Sequence, residues 1–248
     1  MRYSLLKYYY SLFIAKKGLG TIWRPLFFEF PFDSNTYLDD IADTQFLIGP
    51  NLMAAPVVEQ GAIERKVYFP DQHWVNLQTG EMFAPDSTHI IQNKLTDQVP
   101  LFVREGTIVA TQNVEKVRST KDLDNSYLIS LAMHHDTRRS NNTHQIYEAV
   151  GAVLSIKDLS DNSLVNLCIQ AGCNYVINSV ATISTLTRSL ELDFIYLGEN
   201  HLNQEVQIWG VNMAFGKEVA EIRLETPIKI TGPKSVTLPI PHSTNLVS

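Results

Sequence analysis

Cysteine, clustered positive charge and long apolar runs are all scarce in this 248-residue chain. Its 20 Lys and Arg residues are outnumbered by 26 Asp and Glu residues, which gives a formal net charge of -6. Because no stretch concentrates the basic residues, the composition argues against a surface that binds nucleic acid or anionic membranes. The longest apolar stretch, residues 8–15, is rich in tyrosine and too short to span a bilayer. The sequence therefore predicts no membrane span.

The two cysteines, Cys168 and Cys173, fall in a predicted β-hairpin. If Ala171-Gly172 is the turn, Cys168 faces Tyr175 rather than Cys173, so a disulfide across the hairpin has unfavourable geometry. Two buried free thiols are the favoured interpretation. A zinc site is disfavoured as well, because no histidine or further cysteine lies nearby.

Residues 5–16 have the spacing of an amphipathic helix, and glycines at positions 18 and 20 provide a C-terminal stop. Lys7 interrupts the apolar stretch and no small-residue cleavage site precedes Lys16, which argues against a signal peptide. Since no Ser, Thr, Asp or Asn precedes the first turn to cap its free N–H groups, we expect the chain to begin inside a larger domain. The predicted apolar face consists of Leu5, Leu6, Tyr9, Leu12, Phe13 and the stem of Lys16.

Residues 21–31 form a continuous apolar and aromatic run, which predicts a strand buried on both faces. In such a strand Arg24 must be largely buried and paired with a carboxylate or a carbonyl. Asp33-Ser34-Asn35 then offers a cap for a short helix that ends at Gly49-Pro50. A helix followed by a doubly buried strand indicates an α/β domain with a parallel sheet.

After Pro50 the pattern changes to short alternating strands separated by turns, with an evident hairpin turn at Gln78-Thr79-Gly80. A polar stretch, residues 113–126, is the best domain boundary and separates two such runs. The predicted fold is mainly β, with consecutive β-sandwiches at residues 51–115 and 116–248. Residues 1–50 precede them as the last strand-helix units of an incomplete (β/α)8 barrel.

Five stretches, in order between Arg2 and Ala110, resemble signatures of the family 31 glycoside hydrolases, the α-glucosidase family. They are RYSLLKYYYSLF, RPLFFEFPFD, DTQFLIGPNLMAAPV, VYFPDQHWVNLQTG and QVPLFVREGTIV. The resemblance implies that residues 1–50 end the catalytic barrel and that proximal and distal C-terminal β-sandwiches follow. Where the family often has Tyr-Glu-Asp-Asp-Gly, residues 147–151 are Tyr-Glu-Ala-Val-Gly, so both aspartates of that stretch are replaced.

Cleavage of a glycoside with retention requires two carboxylates about 5 to 5.5 Å apart. The resemblance places both catalytic aspartates, together with the arginine and histidine that bind the first sugar, upstream of Arg2. The family's Trp-x-Asp-Met-Asn-Glu nucleophile motif does not occur in these 248 residues. We therefore expect no catalytic residue, no substrate-binding residue and no cofactor in this chain.

Two groups of carboxylates outside that motif are candidate sites. Glu29 ends the predicted strand without a partner carboxylate, so we expect a salt bridge or hydrogen bond at the barrel rim, with Arg24 as candidate partner. Asp39, Asp40 and Asp43 are expected to form a solvated face near a helix start. Neither group predicts a catalytic pair.

His134-His135-Asp136 is the compact cluster of metal-capable residues, with His144 as a candidate third ligand across a hairpin. Adjacent residues of a strand point to opposite faces, so surface residues at a strand end are favoured over a metal site. Aromatic side chains that could stack on sugars are expected mostly in the sandwich cores. They are Trp74, Tyr175, Tyr196 and Trp209.

Asn141-Asn142-Thr143 is a glycosylation sequence with Asn141 as the acceptor, which fits the secretory pathway (lysosomal, ER or extracellular) that the resemblance favours. The leading hypothesis is the C-terminal, non-catalytic portion of a retaining α-glucosidase-type hydrolase. Its partner is an N-terminal chain or segment that carries the rest of the barrel, and its substrate is an oligosaccharide or glycan. The alternative is a degenerate family member that acts as a carbohydrate-binding or scaffold module.

Overall fold

The computed structural model describes residues 3–93, 99–114, 117–154, 166, 176–196 and 205–241. The described residues form two compact units, one within residues 21–105 and the other within residues 3–20 and 106–241. Strands predominate in both units, which confirms the mainly β prediction. The finer division into residues 1–50, 51–115 and 116–248 stays a prediction.

Two α-helices occur among the described residues, α1 (Leu6–Ala15) in the larger unit and α2 (Asp39–Ala42) in the smaller one. Short 3₁₀ helices cover Tyr3–Leu5, Leu26–Phe28, Ser34–Tyr37 and Thr120–Asp122. No described helix has the length and apolar character that crossing a membrane requires.

The smaller unit contains a six-stranded antiparallel sheet and a separate two-stranded sheet among its described residues. Its strands are β1 (Trp23–Pro25), β2 (Phe46–Ile48), β3 (Leu52–Ala54), β4 (Glu64–Phe69), β5 (Trp74–Asn76), β6 (Met82–Phe83), β7 (Ser87–Gln92) and β8 (Leu101–Arg104). The larger sheet has the order β1-β2-β3-β8-β5-β6, and β4 pairs with β7.

Aromatic rings fill the core of the smaller unit. Phe69 stacks on Phe83 with ring centroids 4.4 Å apart, and Phe102 meets Phe69 edge-on at 4.9 Å. Trp74 is fully buried and donates from Nε1 to the Pro70 carbonyl at 2.9 Å. Its polar atom is therefore satisfied within the core.

The hairpin turn predicted at residues 78–80 is confirmed. It joins β5 to β6, which pair antiparallel. The Asn76 Oδ1 atom accepts hydrogen bonds from the backbone N–H groups of Gln78 and Thr79, and Gly80 has a φ of 75°. These are local interactions, so the turn chemistry of the sequence alone specifies them.

The single buried strand predicted for residues 21–31 is wrong. Strand β1 covers only three residues and pairs antiparallel with β2, and Leu26–Phe28 is a 3₁₀ helix. Trp23 and Phe28 are exposed. A long strand needs partners along its length, whereas here the N–H groups of Glu29 and Phe30 donate to the Leu26 carbonyl instead.

The short helix predicted to run to Gly49-Pro50 is also partly wrong. Asp33 does cap the 3₁₀ helix Ser34–Tyr37, since its side chain accepts from the Asn35 N–H at 3.0 Å. However, α2 ends at Ala42, and Phe46–Ile48 is strand β2 between β1 and β3. In the sheet, the backbone N–H and C=O groups of this strand find hydrogen-bonding partners on both β1 and β3. The last turn of a helix would leave some of these groups without partners.

The larger unit forms one nine-stranded mixed sheet in the described part of the chain. Its strands are β9 (Thr107–Gln112), β10 (Ser126–Ala132), β11 (His134–His135), β12 (Ile146–Leu154), β13 (Val176–Ser184), β14 (Ser189–Tyr196), β15 (Val206–Phe215), β16 (Glu218–Ile230) and β17 (Lys234–Pro239). The order is β16-β15-β10-β9-β12-β13-β14-β17, with β11 beside β12. The pairs β10–β15 and β9–β12 are parallel.

One hydrophobic core collects the buried side chains of this sheet, from Ile108 in β9 to Ile230 in β16. Buried positions alternate with half-buried ones along β13 and with half-buried or exposed ones along β14, as expected for strands with one face on a core. Cys168 and Cys173 lie outside the described residues, so the interpretation as free thiols stays a prediction.

Helix α1 is present as predicted, and Gly18 closes its end by donating to the Phe13 carbonyl at 2.9 Å. The predicted apolar face is only partly right: Leu5 is buried, but Phe13 is exposed, and the helix itself buries Lys7, Tyr8, Ser11 and Ile14. The Lys7 Nζ atom donates to the Asp124 carbonyl at 2.6 Å and to Asn125 Oδ1 at 2.8 Å. Because Lys7 is buried against these acceptors, the helix turns toward the core a different side from the one that the apolar spacing predicts.

Gly151 allows the parallel strands β9 and β12 to approach each other closely. A Cβ atom at this position would lie 2.5 Å from Ile108 Cβ and 2.6 Å from the Ile108 carbonyl oxygen. We expect Gly151→Ala to lower the free energy of unfolding by about 1 to 3 kcal/mol, because backbone would have to move. Urea unfolding measures this change.

Gly232→Ala is the matched control, since no atom lies within 4 Å of a Cβ built there. Its free energy of unfolding should stay within about 0.5 kcal/mol of the parent. Equal effects of the two substitutions would contradict the close approach of β9 and β12.

Candidate functional site

Glu29 forms the ion pair that the sequence suggests. Its carboxylate lies 2.5 Å from the Arg24 guanidinium, and both side chains are 23% exposed. The predicted carboxylate partner of Arg24 is thereby confirmed. The ion pair joins β1 to the residue that follows the 3₁₀ helix Leu26–Phe28, so it links the two ends of one short segment.

The three aspartates around α2 are exposed, as predicted. Asp39 and Asp40 occupy the first turn of the helix, where their negative charge complements the helix dipole, and Asp43 follows its end. The Asp40 carbonyl accepts a hydrogen bond from the Thr44 hydroxyl. This group is a solvated helix face.

A groove of about 830 Å³ lies on the smaller unit between α2, residues 57–63 and the β4–β7 pair. Asp40, Tyr68 and Ile90 are among its lining residues. Its arginine, Arg65, is occupied: Nη1 donates to the carbonyls of Thr44 at 2.8 Å and Pro56 at 2.6 Å, and Nη2 donates to Thr44 Oγ1. Arg65 therefore holds the groove walls together and is not a free anion-binding group.

Burial lowers the pKa of Arg65, while the nearby Asp40 carboxylate acts in the opposite direction. An arginine nonetheless stays charged in proteins. The cation is thus balanced by carbonyl oxygens and by one exposed carboxylate.

Tyr68 brings two carboxylates together at the edge of the groove. Its hydroxyl donates to Asp33 Oδ2 at 2.6 Å, lies 3.4 Å from Asp86 Oδ1, and accepts from Asn35 Nδ2 at 3.2 Å. A retaining glycosidase needs its two carboxylates on either side of a sugar. Here the Tyr68 hydroxyl contacts both carboxylates, so the three side chains form one hydrogen-bonded network.

Sequence reasoning did not find this network. Asp33 and Asp86 lie 35 and 18 positions from Tyr68, and Asp33 was recognisable only as a helix cap. No motif connects such distant residues. Burial raises the pKa of Tyr68 far above its ordinary value, and the hydrogen bond to Asp33 raises it further.

The histidine cluster lies at β11, opposite β12. His134 pairs with Glu148 and His135 with Tyr147 in the strand register, and the His135 ring lies 5.1 Å from the Tyr147 ring. The histidines therefore alternate faces, as strand geometry requires. His144 is turned to another partner, with Nε2 2.9 Å from the Ser184 hydroxyl.

Asp136 is held by arginine. Its carboxylate accepts from Arg139 Nε at 2.6 Å and from the backbone N–H groups of Arg138 and Arg139, and Arg139 also contacts Glu148. The Arg139 hydrogen bond lowers the pKa of Asp136, and the backbone N–H groups add to it. Among the described residues no group of three His, Cys, Asp or Glu side chains is arranged to hold a metal ion.

The candidate aromatic residues divide between core and surface. Trp74 is in the core as expected, whereas Trp209 is 41% exposed. Tyr175 lies outside the described residues, and Tyr196 ends β14. Trp209 is a single ring on β15, which by itself does not make a sugar platform.

Asn141 lies on the exposed loop between β11 and β12. Its Oδ1 atom accepts from the Thr143 N–H at 2.9 Å, the Thr143 hydroxyl at 3.0 Å and the His144 N–H at 2.8 Å. The amide oxygen is thus fixed by the threonine of the glycosylation sequence, and the residue itself is exposed. The loop geometry leaves space for a modification at this asparagine.

Tyr68→Phe should lower the free energy of unfolding by about 1 to 3 kcal/mol near pH 7, because it removes a hydrogen bond to a carboxylate. Since the folded-state pKa of Tyr68 is raised, the phenol ionises in the unfolded chain first. The stability difference from the parent should therefore be full below pH about 10 and decline as pH rises further. Urea unfolding between pH 7 and 11 measures it.

Tyr37→Phe is the matched control, because the Tyr37 hydroxyl bonds the Pro31 carbonyl at an exposed site. It should change stability by less than about 0.5 kcal/mol at each pH. A constant difference for Tyr68→Phe up to pH 11 would contradict the proposed hydrogen bond.

Comparison with known proteins shows that the part of the chain containing these side chains matches a described protein domain. Residues 20–109 match the family model described as the glycosyl hydrolase family 31 C-terminal domain. That range includes β1 to β8 and both the Arg24–Glu29 pair and the Tyr68 network.

Two curated relatives extend the likeness. The chain is 30% identical over 217 residues to lysosomal acid alpha-glucosidase of Tetrahymena pyriformis, which covers 81% of this chain and 22% of that protein. It is 35% identical over 123 residues to alpha-glucosidase 2 of Bacillus thermoamyloliquefaciens, which covers 49% of this chain and 15% of that protein. The chain thus spans about a fifth or less of the length of these relatives.

A solved structure shares the fold. The GH31 alpha-xylosidase of Xanthomonas citri superimposes with a TM-score of 0.57 at 20% identity, over 96% of this chain and 24% of that one. The family model, the relatives and the shared fold agree with one another. They confirm that the five sequence motifs resemble family 31 glycoside hydrolases. Residues 20–109 thus correspond to the glycosyl hydrolase family 31 C-terminal domain.

Proposed function

We propose that this chain is the C-terminal, non-catalytic portion of a retaining α-glucosidase-type glycoside hydrolase. The intact form hydrolyses α-glucosidic bonds of oligosaccharides or glycans. In this proposal an N-terminal chain or segment carries the catalytic carboxylates and the barrel. Residues 21–50 do not supply a parallel barrel strand, because β1 and β2 pair antiparallel within the sheet of the smaller unit.

The observation that carries the proposal is the family 31 C-terminal domain match within a chain that covers 22% of its α-glucosidase relative. A domain described as C-terminal, in relatives several times longer, implies a preceding segment in the working enzyme. Relatives named as alpha-glucosidases support the substrate class.

The side chains of the described residues support the non-catalytic part of the proposal. Catalysis with retention requires two carboxylates that flank a sugar. Glu29 is paired with Arg24, and Asp33 and Asp86 both contact the Tyr68 hydroxyl. The nucleophile motif of the family is likewise absent from the 248-residue sequence.

The purified chain should show no turnover of aryl α-glucoside or aryl α-xyloside. Without a nucleophile and an acid, nothing stabilises the oxocarbenium-like transition state. Release of nitrophenol, followed by absorbance, measures this, and native protein recovered from its source with an antibody to β16 is the positive control.

The Asp33→Asn/Asp86→Asn variant distinguishes turnover by a contaminating enzyme from turnover at a site within this chain. Turnover that the parent chain shows and this variant loses would place catalytic carboxylates in the chain and contradict the proposal. Equal traces of turnover in both preparations would be contamination.

The second candidate function is a non-catalytic module that binds carbohydrate or acts as a scaffold. Replacement of both aspartates in residues 147–151 favours a degenerate copy. Titration calorimetry with maltooligosaccharides tests binding by the chain alone. Tight binding, together with native material that contains no longer chain, would favour this function over the first.

We also propose that the intact protein belongs to the secretory pathway and carries an N-linked glycan on Asn141. Support comes from the exposed loop, the Asn141 Oδ1 contact with Thr143, and a relative named as lysosomal. Transfer would join C1 of the sugar to Asn141 Nδ2 and break the C1–oxygen bond of a lipid-linked oligosaccharyl diphosphate. The lipid diphosphate leaves, and the amide loses one proton.

Secretion of the chain from a eukaryotic host should give a product whose mass falls on treatment with an amidase that removes N-glycans. The treatment converts the glycosylated asparagine to aspartate, so peptide mass spectrometry should locate Asp at position 141. Thr143→Ala should abolish the glycan, whereas Thr143→Ser should retain it. An unmodified Asn141 in the secreted parent would contradict the proposal.

A further inference from the structure

Strand β7 is an edge strand. It lies in the separate two-stranded sheet, where β4 is its strand partner among the described residues. The Asn93 N–H, which follows β7, donates to the Ile63 carbonyl beside β4 at 2.7 Å. Because alternate residues of an antiparallel strand direct their N–H and C=O groups to the same side, those of Thr88, Ile90 and Gln92 point away from β4.

The outer edge of β4, in contrast, is closed by side chains. Gln45 bonds Tyr68 much as a neighbouring strand would, since its Nε2 donates to the Tyr68 carbonyl and its Oε1 accepts from the Tyr68 N–H, both at 2.9 Å. The Arg65 Nη2 atom donates to the Lys66 carbonyl at 3.0 Å. An edge strand without such a cover is a template for a further extended segment. The sheet can therefore be extended beside β7 and not beside β4.

The open edge borders the groove between α2, residues 57–63 and the β4–β7 pair. Thr88 and Ile90 are two positions apart in β7, so their side chains share one face of the strand, and both line the groove. Ile90 is 65% exposed, Val58 61% and Ile63 55%, and all three are lining residues. Exposed apolar side chains grouped in this way mark a contact surface for another molecule.

The charges of the groove select the chemistry of that molecule. Asp40, Glu59 and Glu64 line the groove and are exposed. The Arg65 guanidinium is bound to carbonyls of the groove walls, which leaves Lys66 as the exposed basic side chain among the lining residues that the structure describes. The groove therefore favours a ligand with positive charge.

A sugar is a poor match to this surface. Binding of sugar rings commonly uses the face of an exposed aromatic side chain. Tyr68 is the aromatic residue among the described lining residues, and it is 4% exposed with its hydroxyl bonded to Asp33. An extended peptide, in contrast, matches both the open backbone edge and the apolar side chains.

We propose that a partner protein docks on the smaller unit by adding a strand to β7. The added strand carries apolar and basic side chains on its groove face. Its main chain exchanges hydrogen bonds with the outward groups of Ile90, its apolar side chains contact Ile90 and Ile63, and its basic side chains meet Glu59 and Glu64. The inference goes beyond the proposed function and does not rest on it, because it uses contacts within the smaller unit alone.

A synthetic peptide tests the docking directly. The probe is the dye-labelled heptapeptide amide Thr-Lys-Thr-Val-Thr-Lys-Thr, in which valine and both lysines share one face of an extended strand. Its fluorescence anisotropy, titrated with the 248-residue chain, should give a dissociation constant below about 1 mM. Replacing both lysines by glutamate should weaken binding at least about tenfold, because like charges then meet at the groove.

Two changes to the backbone test strand addition. N-methylation of the peptide's valine keeps its side chain but removes the N–H that would donate to the Ile90 carbonyl, and should weaken binding at least about tenfold. Ile90→Pro removes an N–H that points away from β4, so the β4–β7 pairing tolerates it while peptide binding should fall by a similar factor. Ile90→Val is the control and should keep the parent's affinity within about twofold.

A pair of charge variants tests the basic character of the partner. Glu59→Gln/Glu64→Gln should weaken peptide binding about fivefold, because it removes two carboxylates from the groove. Glu191→Gln/Glu225→Gln is the matched control, since it removes two exposed carboxylates of the larger unit and lowers the net charge equally. The control should bind the peptide as the parent does.

The outcomes that would overturn the inference are distinct from those that bear on the proposed function. A dissociation constant above about 1 mM, or affinity that survives both N-methylation and Ile90→Pro, would overturn strand addition. Equal affinities of the two glutamine variants would overturn the basic partner. Binding by the isolated chain but not by longer native protein would show that the protein's own polypeptide covers β7, which overturns the partner assignment. Native material without a longer chain would contradict the proposed function alone.

Discussion

The pairing of strand β9 on both of its edges is the constraint on which the larger unit depends. It runs antiparallel to β10 and parallel to β12, and so joins the two halves of the nine-stranded sheet. The Glu105 N–H donates to the carbonyl of His73, a residue of the smaller unit. The next backbone N–H, that of Gly106, donates to the carbonyl of Ala132, a residue of the larger unit. The chain thus passes from one set of backbone partners to the other within a single peptide.

The sequence predicted those parts of the fold that local interactions determine. The turn after β5 follows from Asn76, which bonds residues two and three positions away. The existence of α1 follows from its spacing, but its buried face does not, because Lys7 finds acceptors 117 and 118 positions along the chain. Residues 21–31 have the composition of a buried strand, yet composition does not supply the neighbouring strands that such an element needs.

The same distinction applies to the candidate site. The Arg24–Glu29 pair was predictable because its partners are five positions apart. The Tyr68 network was not, since it depends on how the 3₁₀ helix at Ser34–Tyr37 and the loop at Asp86 meet strand β4. In the part of the chain that the structure describes, charged groups such as Arg65 and Asp136 hold segments of the chain together.

The most direct measurement uses the covalent intermediate of a retaining glycosidase, which forms on the nucleophilic carboxylate. Native protein recovered with an antibody to β16 would be treated with a mechanism-based α-glucosidase inactivator and mapped by peptide mass spectrometry. The account predicts a labelled aspartate in a peptide outside these 248 residues, on the same polypeptide or on a copurifying chain. A label on a carboxylate within the 248 residues, Asp33 or Asp86 above all, would contradict it.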